Sequence, residues 1–232
     1  MAGTDNFTAC PASEIVSAFF EIANKVEMKV LLINGSPHEN GNTRRALDEV
    51  AKTLQEEGIE TITVNLGKNA VQGCIACGWC GRTGRCTYND ALYTEIRNVI
   101  ADGIDGLIIG SPVYYGGPNG SLCALMDRVC YSLSRYLLFK PAASVVVCRR
   151  GGATAAFERL NMYFTMLNMP VVSSQYWNMA YGHTAGEVER DEEGMQTMRT
   201  LGRNMAWMIQ RLNVAEDGHP TQEIPMRTNF IR

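Results

Sequence analysis

Met28-Lys29-Val30-Leu31-Leu32-Ile33-Asn34-Gly35, running on into Ser36-Pro37-His38-Glu39-Asn40-Gly41-Asn42-Thr43, is the stretch that decides the fold. Lys29–Asn34 is an unbroken apolar run of strand length, the pattern of a strand buried on both faces rather than one. It ends in small and hydroxyl residues, and a helical pattern starts at once. Thr43–Glu57 places Ala46, Leu47, Val50, Ala51 and Leu54 on one side, with Gly58 as its stop. A fully buried strand feeding a helix through a short polar loop is the opening unit of a parallel sheet covered on both faces.

The same alternation continues down the chain. Ile59–Leu66 reads as a second strand, Asp90–Ala101 as a helix and Gly106–Val113 as a third, buried strand. A helix near Gly120–Leu138, a strand at Ala143–Cys148 and a helix at Thr154–Leu167 follow, with a last strand at about Pro170–Tyr176. The final helix, roughly Glu187–Leu212, puts Met195, Met198, Leu201, Met205, Met208 and Leu212 on one face, which suits a core or a dimer interface. The fold class expected is therefore α/β: a three-layer, doubly wound, five-stranded parallel sheet. Residues 1–27 read as an N-terminal helical extension, with apolar positions at helical spacing over Pro11–Lys25 and Ser13 as its cap. Residues 28–212 make the domain, and 213–232 form a tail with Pro220 and Pro225.

Composition excludes several classes of function. The chain of 232 residues carries 21 Lys and Arg against 24 Asp and Glu, a net charge of −3, so it is no polybasic binder of nucleic acid or anionic membrane. No apolar run reaches the ~18–20 residues of a membrane span, because Glu21 interrupts even Ile15–Ala23. The start has neither a basic leading segment nor a cleavage site for secretion, and the compartment expected is the cytoplasm. In that reducing setting the crowding of four of the eight cysteines between Cys74 and Cys86 points to metal or redox chemistry before disulfides.

In doubly wound sheets the ligand sits past the carboxyl ends of the strands, where the strand order reverses. The first such loop, Ser36 to Thr43, feeds a helix N-terminus, where unpaired N–H groups and the helix dipole attract an anion. Ser36, Asn42 and Thr43 can donate to phosphate oxygens. The loop has neither the Walker pattern nor G-x-G-x-x-G, so it is not a triphosphate or dinucleotide loop of those types. The third strand ends in Ser111-Pro112-Val113-Tyr114-Tyr115-Gly116, a stiff, aromatic loop suited to a flat ligand, although either tyrosine also suits core packing. Arg149-Arg150-Gly151-Gly152 ends the fourth strand with positive charge at the same mouth, or with a solvated pair. Ser173 to Asn178 would close the fifth with more aromatic and polar groups.

Two of these motifs agree in order and spacing with a known family. Gly35-Ser36-Pro37 with Gly41-Asn42-Thr43, followed by Ser111-Pro112-Val113-Tyr114-Tyr115-Gly116, resembles the NAD(P)H-dependent FMN reductases, from Met28 to about Trp177. The resemblance implies a flavodoxin-like fold, with FMN phosphate on Ser36, Asn42 and Thr43 and with Pro37 and Gly41 also among the cofactor-binding residues. It implies the isoalloxazine ring along Pro112 to Gly116, next to Ser111 as a further cofactor-binding residue, helped by Arg149, Arg150, Gly151 and Gly152. The flavin itself would carry the chemistry, so no catalytic protein acid or base is expected. The family also commonly forms homodimers or tetramers.

The cysteine segment spells C-x2-C-x2-C-x5-C over Cys74, Cys77, Cys80 and Cys86, with Gly78, Gly81 and Gly84 allowing a tight wrap. Four such thiolates suit a [4Fe–4S] cluster, although the spacing is not that of a ferredoxin. A tetrahedral zinc site prefers two separated pairs. The motif resembles that of the iron–sulfur flavoproteins, while other relatives carry a cysteine-rich loop here as free thiols. Both readings stay open. Cys10, Cys123 and Cys130 read as packing residues, and Cys148, near the flavin end, reads either way; His38 lies in the phosphate loop facing ligand or solvent, and His183 and His219 show no ligand spacing.

Three functions follow as expectations. The first is an FMN-dependent oxidoreductase that takes a hydride from NAD(P)H and passes electrons to a quinone, nitro, azo or flavin acceptor. The second is an iron–sulfur flavoprotein that relays single electrons from a ferredoxin-like donor. The third is a flavin-binding redox sensor without turnover.

Overall fold

The computed structural model describes residues 27–213, 218–224, 226 and 228. The helix expected over Pro11–Lys25 and much of the expected tail lie outside these residues. Strands β1 (Lys29–Asn34), β2 (Glu60–Asn65), β3 (Gly106–Tyr114), β5 (Ala142–Cys148) and β6 (Met179–Tyr181) form a parallel sheet in the order β2-β1-β3-β5-β6. Leaving out the two-residue β4 (Gly117–Pro118), which pairs antiparallel with the end of β3, this is the flavodoxin-like order, with its switch point between β1 and β3.

One layer packs α1 (Asn42–Glu56) and α7 (Glu192–Asn213) on the sheet through Leu47, Val50, Leu54, Met198, Leu201 and Met205. The methionine stripe of α7 is thus core, apart from its end, where Leu212 is exposed. The opposite layer holds α3 (Ala91–Asp102), α4 (Gly120–Ser132) and α6 (Ala153–Met166), with Tyr93, Ile96, Leu125, Val129, Leu160 and Phe164 pointing inward. Two short helices complete the set, α2 (Trp79–Thr83) in the cysteine segment and α5 (Ser134–Leu137). None of the described helices is long and apolar enough to cross a membrane.

Three boundaries differ from the sequence reading, each for a local reason. The helix expected over Gly120–Leu138 breaks at Leu133 into α4 and α5, because Ser132 Oγ donates to its own helix at Arg128 O, 2.7 Å away. The last helix starts five residues later than Glu187, after a 3₁₀ turn, where Asp191 takes the N–H of Gly194 and caps α7. The last strand is the larger correction. Of Pro170–Tyr176, only Val171 bridges β5, at Ala142. Ser174 Oγ then stands 2.6 Å from Tyr176 O and 2.8 Å from Asn178 Oδ1, folding the segment into a bulge. The ladder resumes as β6, from Met179.

The carboxyl end of β1 lies close against the middle of β3. Gly35 N donates to Gly110 O at 2.8 Å, and a Cβ on Gly35 would lie 2.6 Å from that oxygen and 2.5 Å from Leu122 Cδ2. Gly35→Ala should therefore destabilise the protein by about 1–3 kcal/mol through overpacking, read as a lower urea midpoint at unchanged slope.

Candidate functional site

A cleft of about 930 Å³ opens over the β1/β3 switch point. Its floor is the first strand-end loop, Ser36 to Thr43, which enters α1 through Gly41. No side chain caps this helix and its first turn has no acidic residue, so its free N–H groups and dipole are left for an outside anion. Ser36 and Thr43 are buried beneath them. Ser36 Oγ accepts the N–H of His38, while Ser36 N donates to Asn34 Oδ1, so the loop is braced before any ligand arrives.

Nine of the residues expected to hold a flavin line this cleft together: Ser36, Pro37, Gly41, Asn42, Thr43, Pro112, Val113, Tyr114 and Arg149. The other six sit behind or beside it. Ser111 is fully buried and its hydroxyl accepts the N–H of Asn119 at 2.9 Å, which pins the end of β3 to α4. Tyr115 and Gly116 form the two-residue tip of the β3–β4 hairpin, with φ of 49° and 77°, and the Tyr115 side chain stands fully in solvent. Gly152 packs under that hairpin, where a Cβ would come within 2.8 Å of Gly116 Cα. Gly151 sits beside it, and Arg150 is exposed outside the cleft.

Asn42 takes a second task. Its amide donates to Thr184 O at 2.9 Å and accepts the N–H of Val188, fastening the loop after β6 to the start of α1. That loop contributes Gly182, His183 and Ala185 to the cleft wall, and Ser173–Asn178 contribute nothing. Glu187 holds the loop from below. The N–H groups of Thr184 and His183, which it accepts at 2.9 and 2.7 Å, keep its carboxyl below the usual range. Gly67, Lys68 and Asn69 after β2 complete the wall. The sequence reading missed them, although the strand-end rule that found the other loops applies equally there. His183 was missed because the last strand was placed too early. Cys148 also lines the cleft; burial pushes its thiol up against the N–H groups of Arg150 and Ala153, so it stays protonated.

The four motif cysteines line one small recess, shared with Tyr88, Arg128 and Ser132. As the glycine pattern suggested, Gly78 and Gly84 bracket α2 in left-handed conformations. Ala76 N lies 3.4 Å from Cys74 Sγ, and Cys86 N donates to the buried Tyr93 hydroxyl. Among the described residues no three Cys, His, Asp or Glu stand close enough to share one metal ion. A four-iron cube is larger than an ion and spreads its thiolates further, and the donor set here is its set. Asp90 caps α3 at the edge of this region. Burial alone would raise its carboxyl, but the Tyr93 N–H and the Arg128 guanidinium outweigh it and hold it below the usual range.

A doubly wound sheet with an anion cradle at its switch point defines a flavodoxin-like protein. Residues 28–184 match the family described as NADPH-dependent FMN reductase, and the chain belongs to that family. It is 32% identical over 192 residues to an iron–sulfur flavoprotein of Methanocaldococcus jannaschii, covering 78% of this chain and 97% of that one. An iron–sulfur flavoprotein of Methanosarcina thermophila is 28% identical over 198 residues, covering 82% of this chain and all of its relative. Among solved structures, a flavodoxin, WrbA-like protein from Agrobacterium tumefaciens superposes with a TM-score of 0.55 at 17% identity, over 80% of this chain and 99% of that one.

Two outcomes are expected. Lys68→Glu and Thr43→Glu should each weaken FMN binding roughly ten-fold or more by placing charge against its phosphate, measured by quenching of flavin fluorescence; unchanged affinity refutes the placement. Because the folded Asp90 has its pKa depressed, its contribution is present above the unfolded carboxylate pKa near ~3.9 and is lost as pH falls through the folded value. Asp90→Asn should therefore flatten the acid limb of the stability–pH curve.

Proposed function

We propose that this protein is an electron-transferring flavoprotein that carries FMN in the cleft over Ser36–Thr43 and an iron–sulfur cluster on Cys74, Cys77, Cys80 and Cys86. The observation that carries the reading is that the four motif cysteines all line one small recess. The names of the relatives support it, and the uncapped N-terminus of α1 supports a phosphate-bearing cofactor. Bound FMN exchanges electrons in pairs or singly, and a cluster exchanges them singly, so the two together join two-electron to one-electron chemistry.

The chain's own residues do the rest. The α1 N–H groups and Lys68 take the phosphate charge, Pro112 to Tyr114 offer a flat wall to the ring, and Arg149 places a positive charge at the same mouth. Such a charge favours the more negative, reduced state of a bound ring. A second reading, NAD(P)H as the immediate electron source with a quinone, nitro, azo or free flavin as acceptor, is supported by the family match. A ferredoxin-like donor belongs to the first reading. The assembly expected in both is a homodimer or tetramer.

Anaerobic purification tests the proposal. FMN absorbance together with about four irons and matching sulfide per chain is the expected result. Flavin without iron removes the first reading; bleaching of that flavin by NADH or NADPH then supports the second, and failure to bleach leaves a flavin-binding redox sensor. Absence of any flavin, with none bound on addition, sinks both.

A further inference from the structure

α4 carries Arg128 into the interior, where its side chain is wholly inaccessible to solvent. A guanidinium keeps its charge at every accessible pH and demands acceptors for five N–H bonds. Two of its nitrogens find them in one place. Nη1 donates to Gln72 O at 3.2 Å, and Nη2 to Tyr88 O and to Asp90 Oδ2, both at 2.5 Å. The Tyr93 and Tyr88 rings stand 4.8 and 5.9 Å from its central carbon. Gln72 lies just before Cys74, and Tyr88 just after Cys86. One cation therefore holds both stems of the cysteine segment.

The third nitrogen is different. Arg128 Nε is a buried side-chain polar atom left without a hydrogen-bond partner among the described residues. Leaving a charged donor unpaired in the interior is costly, and a built site normally supplies an acceptor. Arg128 also lines the recess that Cys74, Cys77, Cys80 and Cys86 line. The carboxylate it meets, Asp90, is nearly half exposed, so part of the positive charge stays uncompensated within the fold.

We infer that Arg128 is the counter-charge of the cysteine site, giving its Nε–H and its positive charge to the sulfur of the cluster and so setting the cluster's reduction potential. The inference rests on the cluster reading above. A cluster held by four thiolates is an anion, and its reduction adds one electron and no proton. A fixed cation beside it, away from water, favours the more negative state and raises the potential. Outer partners of this kind also slow the loss of metal. Arg128 is thus a positioning and tuning residue that ligates nothing itself.

The test compares wild type, Arg128→Lys and Arg128→Gln after anaerobic reconstitution with ferrous iron and sulfide. The cluster potential is read by electron paramagnetic resonance during redox titration, and iron loss by transfer to a chelator. Arg128→Gln should titrate at a more negative potential and lose iron roughly ten-fold faster. Arg128→Lys should stay nearer the wild-type potential, because it keeps the charge, while losing iron faster than wild type, because an ammonium cannot hold both stems. FMN content should be unchanged in both. If Arg128→Gln folds poorly with Asp90 left unpaired, the comparison is made on an Asp90→Asn background, where it must still lower the potential. A wild-type potential in the glutamine variant overturns the inference alone. Wild-type protein that takes up no iron overturns the cluster reading and this inference with it.

Discussion

Neither Gly35 nor Gly110 has room for a side chain, and that constraint organises the molecule. A Cβ on Gly110 would lie 2.7 Å from Leu47 Cδ1, and one on Gly35 would press on Gly110 O. β1 can therefore stay paired with β3 to its last residue, Asn34 opposite Gly110, while β3 runs four residues further before its own loop. Asn119 locks the junction: its amide donates to Gly35 O, its N–H reaches Ser111, and its own oxygen caps α4. Three chain segments thus share one buried residue at the place where the cleft begins. The cleft is a consequence of backbone approach before it is a property of any side chain that lines it.

From that junction α4 runs down to Arg128, nine residues on from Asn119, or roughly 14 Å along the helix axis. The same helix whose cap residue pins Gly35 and Ser111 lines the cysteine recess with Arg128, Tyr131 and Ser132. The two candidate redox positions are rigidly spaced by a single element whose apolar face, Leu122, Leu125 and Val129, is sealed in the core.

Much of this was legible in the sequence, for physical reasons. Buried parallel strands read as unbroken apolar runs, so β1, β3 and β5 fell within a residue or two of the expected positions. The first strand-end loop was legible because an apolar run ending in Gly35-Ser36-Pro37 must turn before the next helical pattern begins. What escaped depended on side chains bonding to distant backbone. Ser174 and Asn178 turn an expected strand into a bulge, and no apolar period records that. Asn42 read as a phosphate donor, while its role in holding Thr184 and Val188 joins residues more than 140 apart. Arg128 gave no signal at all: a lone arginine on an apolar helix face looks the same in sequence whether it turns to solvent or inward.

The clasp made by that arginine also bears on the order of assembly. Joining Gln72 to Tyr88 closes the cysteine segment into a loop without a covalent link. A disulfide closing a loop of similar length removes about 3 kcal/mol of chain entropy from the unfolded state. A guanidinium shared by two carbonyls acts instead within the folded state, holding the two ends of the cysteine segment beside each other. Part of the entropic cost of ordering this segment is thereby met by the packing of α3 and α4. The shape of the cysteine segment is thus set by the fold itself, unlike that of small metal-bound domains that fold only around their ion.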